Sequence, residues 1–135
     1  MTKRASGAFD VKLTPMAPAA GAEASAIGWL ALDKKFHGDL EATSQGQMLA
    51  VRTPVESSAG YVALERVTGS LHGRTGTFAL QHSGTMTRGV SQLVLTVVPD
   101  SGTGQLEGLS GSMRIIITGG QHAYEFDYAL PSGET

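Results

Sequence analysis

The chain of 135 residues has no cysteine. Disulfide scaffolds and thiolate zinc sites are therefore excluded. Charge is scarce too, at 16% of residues, and nearly balanced: ten Lys and Arg against twelve Asp and Glu leave a net −2. Nothing in that balance suits a nucleic-acid backbone as partner. No run approaches the ~18 apolar residues of a membrane span. The opening MTKRASGAF has two basic residues with no apolar stretch behind them, so it does not read as a secretory signal. These absences set the expectation of a soluble cytoplasmic protein with no nucleic-acid or membrane partner and no cofactor.

What the chain does have is glycine, 18 of 135 residues, nearly twice the usual share of about 7%. Apolar residues alternate with polar ones, as in FAL (78–80), LVLTVV (93–98), MRIII (113–117) and YEFDYAL (124–130). Turn signals separate these runs: HGR at 72–74, RG at 88–89, SGTG at 101–104 and GG at 119–120. Period-two runs bounded by glycine-bearing turns predict strands and hairpins.

About eight strands are expected, near 6–13, 26–36, 39–52, 60–71, 74–87, 91–98, 110–118 and 122–130. Residues 14–26 read as a loop, and 1–5 and 131–135 as loose ends. Around FHGDL (36–40), either Gly38 marks a tight turn, or it is a bulge in a longer strand that turns at Gln45-Gly46. The fold class is all-β: a single domain, 1–135, forming an eight-stranded antiparallel meander barrel. Such a barrel either is filled by side chains or holds one small ligand.

Hairpin turns fix register. A turn centred on His72-Gly73 pairs Val67 with Phe78, Glu65 with Leu80, Ala63 with His82 and Tyr61 with Gly84. One centred on Arg88-Gly89 pairs Gly84 with Leu93, His82 with Leu95 and Leu80 with Val97. One centred on Gly119-Gly120 pairs Ile117 with His122, Ile115 with Tyr124, Met113 with Phe126 and Gly111 with Tyr128. Its opposite face pairs Arg114 with Glu125, as a solvated surface would. The interior therefore takes Tyr61, Phe78, Leu80, Leu93, Leu95, Met113, Ile115, Ile117, Tyr124, Phe126 and Tyr128. Phe9, Val11, Leu13, Leu30, Leu32 and Phe36 are expected to join it.

Two ionisable residues, Glu65 and His82, fall on this apolar face as diagonal neighbours within roughly 7–8 Å. A buried carboxylate is costly unless paired or protonated. Either Glu65 has a raised pKa and works as a general acid or base with His82, or the two form a structural pair. His122 also faces inward, but no two histidines stand at ligand spacing, and no metal site is expected. GQLEG and GSLHG lack a central serine, so there is no nucleophile elbow.

SGTGQLEGLSG (101–111) looks at first like a phosphate loop. Yet no lysine stands in it, a strand and not a helix follows it, and its spacing misses both nucleotide fingerprints. It is expected to turn the chain between two barrel strands. Trp29, the only tryptophan, lies in IGWLAL, where both parities are apolar. It either lines the mouth or faces outward. Val62, Leu64, Val94 and Val98 form an apolar outer stripe, which points to a homo-oligomer.

The segments KFHGDLEATSQGQML (35–49), GYVALERVTGSLHGRTGTFALQHSGTM (60–86) and VPDSGTGQLEGLSGSM (98–113) resemble a bacterial family of small domains of unknown function. That family looks like the allene oxide cyclase-type, or dirigent-like, barrel. The resemblance covers nearly the whole chain. In the wider superfamily a GTG-x-aromatic-x-G stretch joins two barrel strands. Here it is Gly102, Thr103, Gly104, Gln105, Leu106, Glu107, Gly108, with leucine in the aromatic place. By analogy such barrels hold a flexible apolar substrate, and allene oxide cyclases place a glutamate in the cavity. Glu65 does not align with that residue position by position. Dirigent proteins are secreted, and no secretory signal is seen here.

Three functions follow. The interior binds a small apolar molecule, lined by Tyr61, Phe78, Leu80, Leu95, Met113, Ile115, Tyr124, Phe126 and Tyr128. Alternatively it is an isomerase or cyclase acting on a hydrophobic substrate, with Glu65 and His82 catalytic. In the third, the barrel is filled and the protein works through its surface.

Overall fold

A computed structural model of the chain describes residues 2–17, 21 and 26–131. Eight antiparallel strands follow one another around a closed barrel: β1 (Lys3–Met16), β2 (Gly28–Phe36), β3 (Leu40–Arg52), β4 (Ala59–Leu71), β5 (Arg74–Thr87), β6 (Val90–Val97), β7 (Ser110–Thr118) and β8 (Gln121–Ala129). The meander is the one that the alternation predicts. β1 starts at Lys3 and runs to Met16, so 3–5 and 14–16, expected as loose end and loop, are strand. Residues 18–20, 22–25 and 132–135 of the expected loop and tail lie outside the described residues.

Three hairpins turn through two residues with positive φ: His72-Gly73 (47° and 81°), Arg88-Gly89 (48° and 92°) and Gly119-Gly120 (57° and 81°). Turns of this hand match the twist of the strands they join. They fix the register worked out from the sequence, including Glu65 opposite Leu80, His82 opposite Leu95 and Ile115 opposite Tyr124. Between β2 and β3 the chain turns at residues 37–39, with Gly38 at φ 101°. Gln45 and Gly46 are ordinary members of β3, so the alternative turn there does not occur.

Closure is uneven. The first half of β1 pairs with β8 (Lys3–Phe9), and its second half pairs with β2 (Phe9–Met16). β6 and β7 are paired at Thr96–Ser112 alone. The remaining lengths of these two strands run on without ladder bonds to each other, toward the end where Arg88-Gly89 and Gly119-Gly120 turn.

The two barrel ends differ. At one end the glycine-rich connection between β6 and β7 folds inward. A single turn of 3-10 helix, Gly104–Leu106, helps bring Leu106 and Leu109 to complete burial, or nearly so. Thr103 bonds β5 through its backbone N–H to Thr77 O and through its hydroxyl to Thr77 N. A side chain at Gly76 would strike Thr103 O at 2.1 Å, so glycine here allows the loop to lie against the strand. The stretch is more than a corner: it caps the barrel.

Beneath the cap the core is filled. Phe78 stacks on Phe126 at 5.9 Å, Phe126 on Tyr128 at 5.5 Å, and Phe36 meets Tyr124 edge-on at 5.6 Å. The opposite end has no such plug among the described residues. There, inward-facing Leu13, Met86, Leu93 and Ile117 remain 46%, 39%, 37% and 64% exposed. Leu93 and Ile117 were expected as interior residues. They have the interior parity, but they stand at an open lip.

Candidate functional site

Between the filled core and the open lip lies a cluster of polar side chains. Strand alternation places Lys34 (β2), Ser44 (β3), Glu65 (β4) and His82 (β5) on the inner face, and all four are buried. Lys34 is directly opposite Ser44. Gly46, opposite Glu65, has no side chain where a Cβ would meet the Glu65 Cα at 2.6 Å.

Every oxygen of the carboxylate is used. Glu65 Oε2 accepts from Lys34 Nζ at 2.8 Å and from His82 Nε2 at 2.5 Å. Oε1 accepts from Ser44 Oγ at 2.6 Å. The Lys34 ammonium also lies 5.1 Å from the Phe9 ring centroid and 5.7 Å from that of Phe36, contacts that favour a cation over an aromatic face. On the far side of the imidazole, His82 Nδ1 is 3.3 Å from the Tyr61 hydroxyl. The Tyr61 ring lies over Gly84, where an added Cβ would meet it at 2.5 Å.

Burial pushes the Glu65 pKa up, but the hydrogen bond to His82, the charge of Lys34 and the bonds from Lys34 and Ser44 outweigh it and bring the carboxyl to about 2. The raised pKa considered for Glu65 therefore does not occur. Strand parity brings His82 to Glu65, and the assembled barrel adds the Lys34 ammonium and the Ser44 hydroxyl. An ionised carboxylate only accepts, so the His82 Nε2 proton points at Glu65. Burial, and after it the negative charge of Glu65, raises the Tyr61 pKa, so this phenol keeps its proton.

The residues expected to line a cavity divide into two groups. Phe78, Leu80, Leu95, Met113, Tyr124, Phe126 and Tyr128 belong to the close-packed cluster. Two of the phenols there are also occupied. Tyr124 OH accepts from Leu40 N–H and donates to His37 O, bracing the β2–β3 corner. Tyr128 OH bonds His72 Nδ1. Only Tyr61 and Ile115 of the expected set are half-buried and reach the open half. His122 joins them there, its ring 5.2 Å from Phe9.

Lys34 and Ser44 were missed. The signal was present, since Phe36 and Leu32 were assigned inward and Lys34 has their parity. The open choice of turn near Gly38 left the β2–β3 register, and so Ser44, unread. Trp29 pairs with Leu49 on the outward parity, half-buried. A depression of about 890 Å³ lies on this outer face, lined in part by Trp29, Leu49, Val62 and Leu64. It is not the interior cavity that the sequence suggested. Among the described residues no group of three His, Cys, Asp or Glu could hold a metal ion, and no helix is long and apolar enough to cross a membrane.

A family model described as a protein of unknown function, DUF3224, matches residues 5–128. The chain belongs to the DUF3224 family. Its barrel is similar to the crystal structure of a DUF3224 protein of unknown function from Shewanella oneidensis MR-1. The two are 50% identical, with a TM-score of 0.91 over 98% of this chain and 100% of that one. A search of the curated proteins finds no match. DUF3224 membership thus agrees with the barrel and assigns no chemistry to the Lys34–Glu65–His82 cluster.

Proposed function

We propose that the open half of this DUF3224 barrel binds one small, largely apolar molecule carrying a hydrogen-bonding oxygen. The observation that carries this reading is the lip. Leu13, Met86, Leu93 and Ile117 face the barrel axis yet remain substantially exposed. Inward-facing apolar surface left exposed at the end of a barrel is what an apolar ligand covers. Beneath it, Tyr61 is the half-buried polar group nearest the fully bonded floor of His82 and Glu65. The sparsely paired seam between β6 and β7 gives the mouth a side that can widen without breaking a ladder.

The floor serves as a support. Glu65 orients the His82 ring, and His82 orients the Tyr61 hydroxyl, which hydrogen-bonds the ligand oxygen. The test is native mass spectrometry of the protein offered a panel of apolar alcohols and ketones, beside Ile117→Trp and Leu93→Trp, which fill the mouth. Uptake by the wild type that either tryptophan abolishes supports the site. Absence of uptake across the panel overturns it.

The chain Glu65–His82–Tyr61 favours a second reading, in which the Tyr61 hydroxyl, held by His82, hydrogen-bonds a bound substrate oxygen and steadies the charge that develops there in an isomerisation. Turnover of a bound compound that Glu65→Gln leaves intact removes Glu65 from that role.

A further inference from the structure

One half-buried polar side chain on the inner face of the open half has no hydrogen-bond partner among the described residues. His122 stands at the start of β8, directly opposite Phe9 on β1 and Ile117 on β7, and shares their inward parity. Its imidazole lies against the Phe9 ring, 5.2 Å away and tilted by 56°. From the floor to the lip, the other buried or half-buried polar side chains of the inner face are Lys34, Ser44, Tyr61, Glu65, His82 and Tyr124, and each is hydrogen-bonded. The neighbours of His122 cannot serve it. Phe9 and Ile117 have no polar side-chain atom, and the Tyr124 hydroxyl, two residues along, is committed to Leu40 N–H and His37 O.

We propose that His122 is a second polar anchor of the ligand site, and that the ligand is an apolar chain with a hydroxyl toward each of two opposite walls. The inference rests on the site proposed for the open half. Among the described residues no buried side-chain nitrogen or oxygen lacks a partner, so the partnerless nitrogens of His122 are not sealed in the core. Their parity directs them inward, beside Ile117, which is 64% exposed at the lip. Tyr61 has a similar place on the other side, since Gly84 is directly opposite both Tyr61 and the lip residue Leu93. β4 and β8 are four strands apart whichever way the ring of eight is followed. Tyr61 and His122 therefore approach the open half from opposite walls.

The chemistry of the two walls selects the ligand. An imidazole donates from one nitrogen and, when neutral, accepts at the other, and a phenol both donates and accepts. A hydroxyl also does both, so it suits either wall. Between them Val11, Leu13, Leu93, Ile115 and Ile117 present aliphatic surface, which a hydrocarbon body covers. The acidic residues of β8 do not compete for His122, because Glu125 and Asp127 have the outward parity and meet Arg114 and Arg4. A mono-alcohol satisfies one wall and lays hydrocarbon on the polar group of the other, which costs that group its hydrogen bonds to water. A diol of matching length satisfies both.

Titration calorimetry of the full chain with straight-chain terminal diols of about four to ten carbons, each beside the mono-alcohol of the same length, tests the second anchor. The expected result is a length at which the diol binds roughly fivefold more tightly than its mono-alcohol, an advantage that His122→Phe removes. In the wild type, the NMR shifts of the His122 ring should move with that diol and much less with the mono-alcohol, a readout that remains if His122→Phe fails to fold. Alcohols that bind with no advantage for the diol at any length, or an advantage that survives His122→Phe, overturn the second anchor and leave the site in the open half standing. Failure of every alcohol to bind overturns that site, and the second anchor with it.

Discussion

At the capped end of the barrel Leu71, Leu106 and Leu109 are completely buried or nearly so, while at the open end Leu13, Met86, Leu93 and Ile117 are not. All four open-end residues have the inward parity of a core residue. Alternation decides which face a side chain takes, but what lies across the end of the barrel decides whether that face is dry. One end has a loop whose own leucines enter the core. The other ends in side chains that meet solvent across the mouth. The comparison separates the packed part of the molecule from the part whose inward apolar side chains stay exposed.

The sharpest contrast is expected between Phe126→Ala and Ile117→Ala. Phe126 is fully buried and stacks on Phe78 and Tyr128, so its truncation should cost about 4 kcal/mol. Ile117 has little to lose and should cost under about 1 kcal/mol. Urea unfolding of both variants measures the gap. Equal losses would mean that the open end is packed in solution.

Glu65→Gln comes next. It leaves the Lys34 ammonium, 4% exposed, without its counter-charge, and breaking such a pair should destabilise by about 3 kcal/mol. The Lys34→Met, Glu65→Gln double variant should recover a good part of this, since the uncompensated charge is then gone. The wild type also has a signature in pH. Glu65 titrates at about 2 in the fold against an ordinary 4.5, so the unfolded chain takes up its proton first. The stability it contributes is fully present above pH about 4.5 and falls away as pH drops toward 2. Glu65→Gln should show a flatter acid limb, and an unchanged limb would place the titration elsewhere.

The cap gives a smaller effect. Leu106→Ala should cost about 2 to 3 kcal/mol and raise hydrogen exchange in the β6–β7 connection and β5, which that connection bonds through Thr103 and Ser101. Exchange near Tyr61 should not change. Spread of the effect to the mouth would show that the two ends open together.

How much of this was legible follows from where local rules apply. Register was readable across β4, β5 and β6 and across β7 and β8, because two-residue turns with glycine second leave one pairing. That sufficed to bring Glu65 to His82. The cap was not readable, because a loop's inward course depends on contacts such as Gly76 against Thr103, far apart in sequence. Lys34 was readable in principle from the parity of Phe36 and Leu32. Composition argues against burying a lysine, though, and only the assembled barrel shows that Glu65, Phe9 and Phe36 surround its ammonium. With Lys34 and Ser44 unread, the raised-pKa and paired readings of Glu65 both stayed open, and the bonds from His82, Lys34 and Ser44 together favour the paired one.

The finest test of the two-end comparison is Tyr61→Phe. The substitution keeps the ring that lies over Gly84 and removes one hydroxyl from the border between floor and mouth. The bond it loses is long, at 3.3 Å to His82 Nδ1, and half-exposed groups recover hydrogen bonds from water, so stability should fall by about 1 kcal/mol or less. Ligand binding should respond more strongly. An apolar alcohol or ketone held through its oxygen should bind roughly five- to tenfold more weakly, while a hydrocarbon of the same shape should bind as before. Titration calorimetry with the matched pair reads the difference. If both ligands weaken equally, Tyr61 contributes shape alone and the polar floor has no part in recognition; if the oxygen-bearing ligand alone weakens, the open half is a site with a polar anchor at its base.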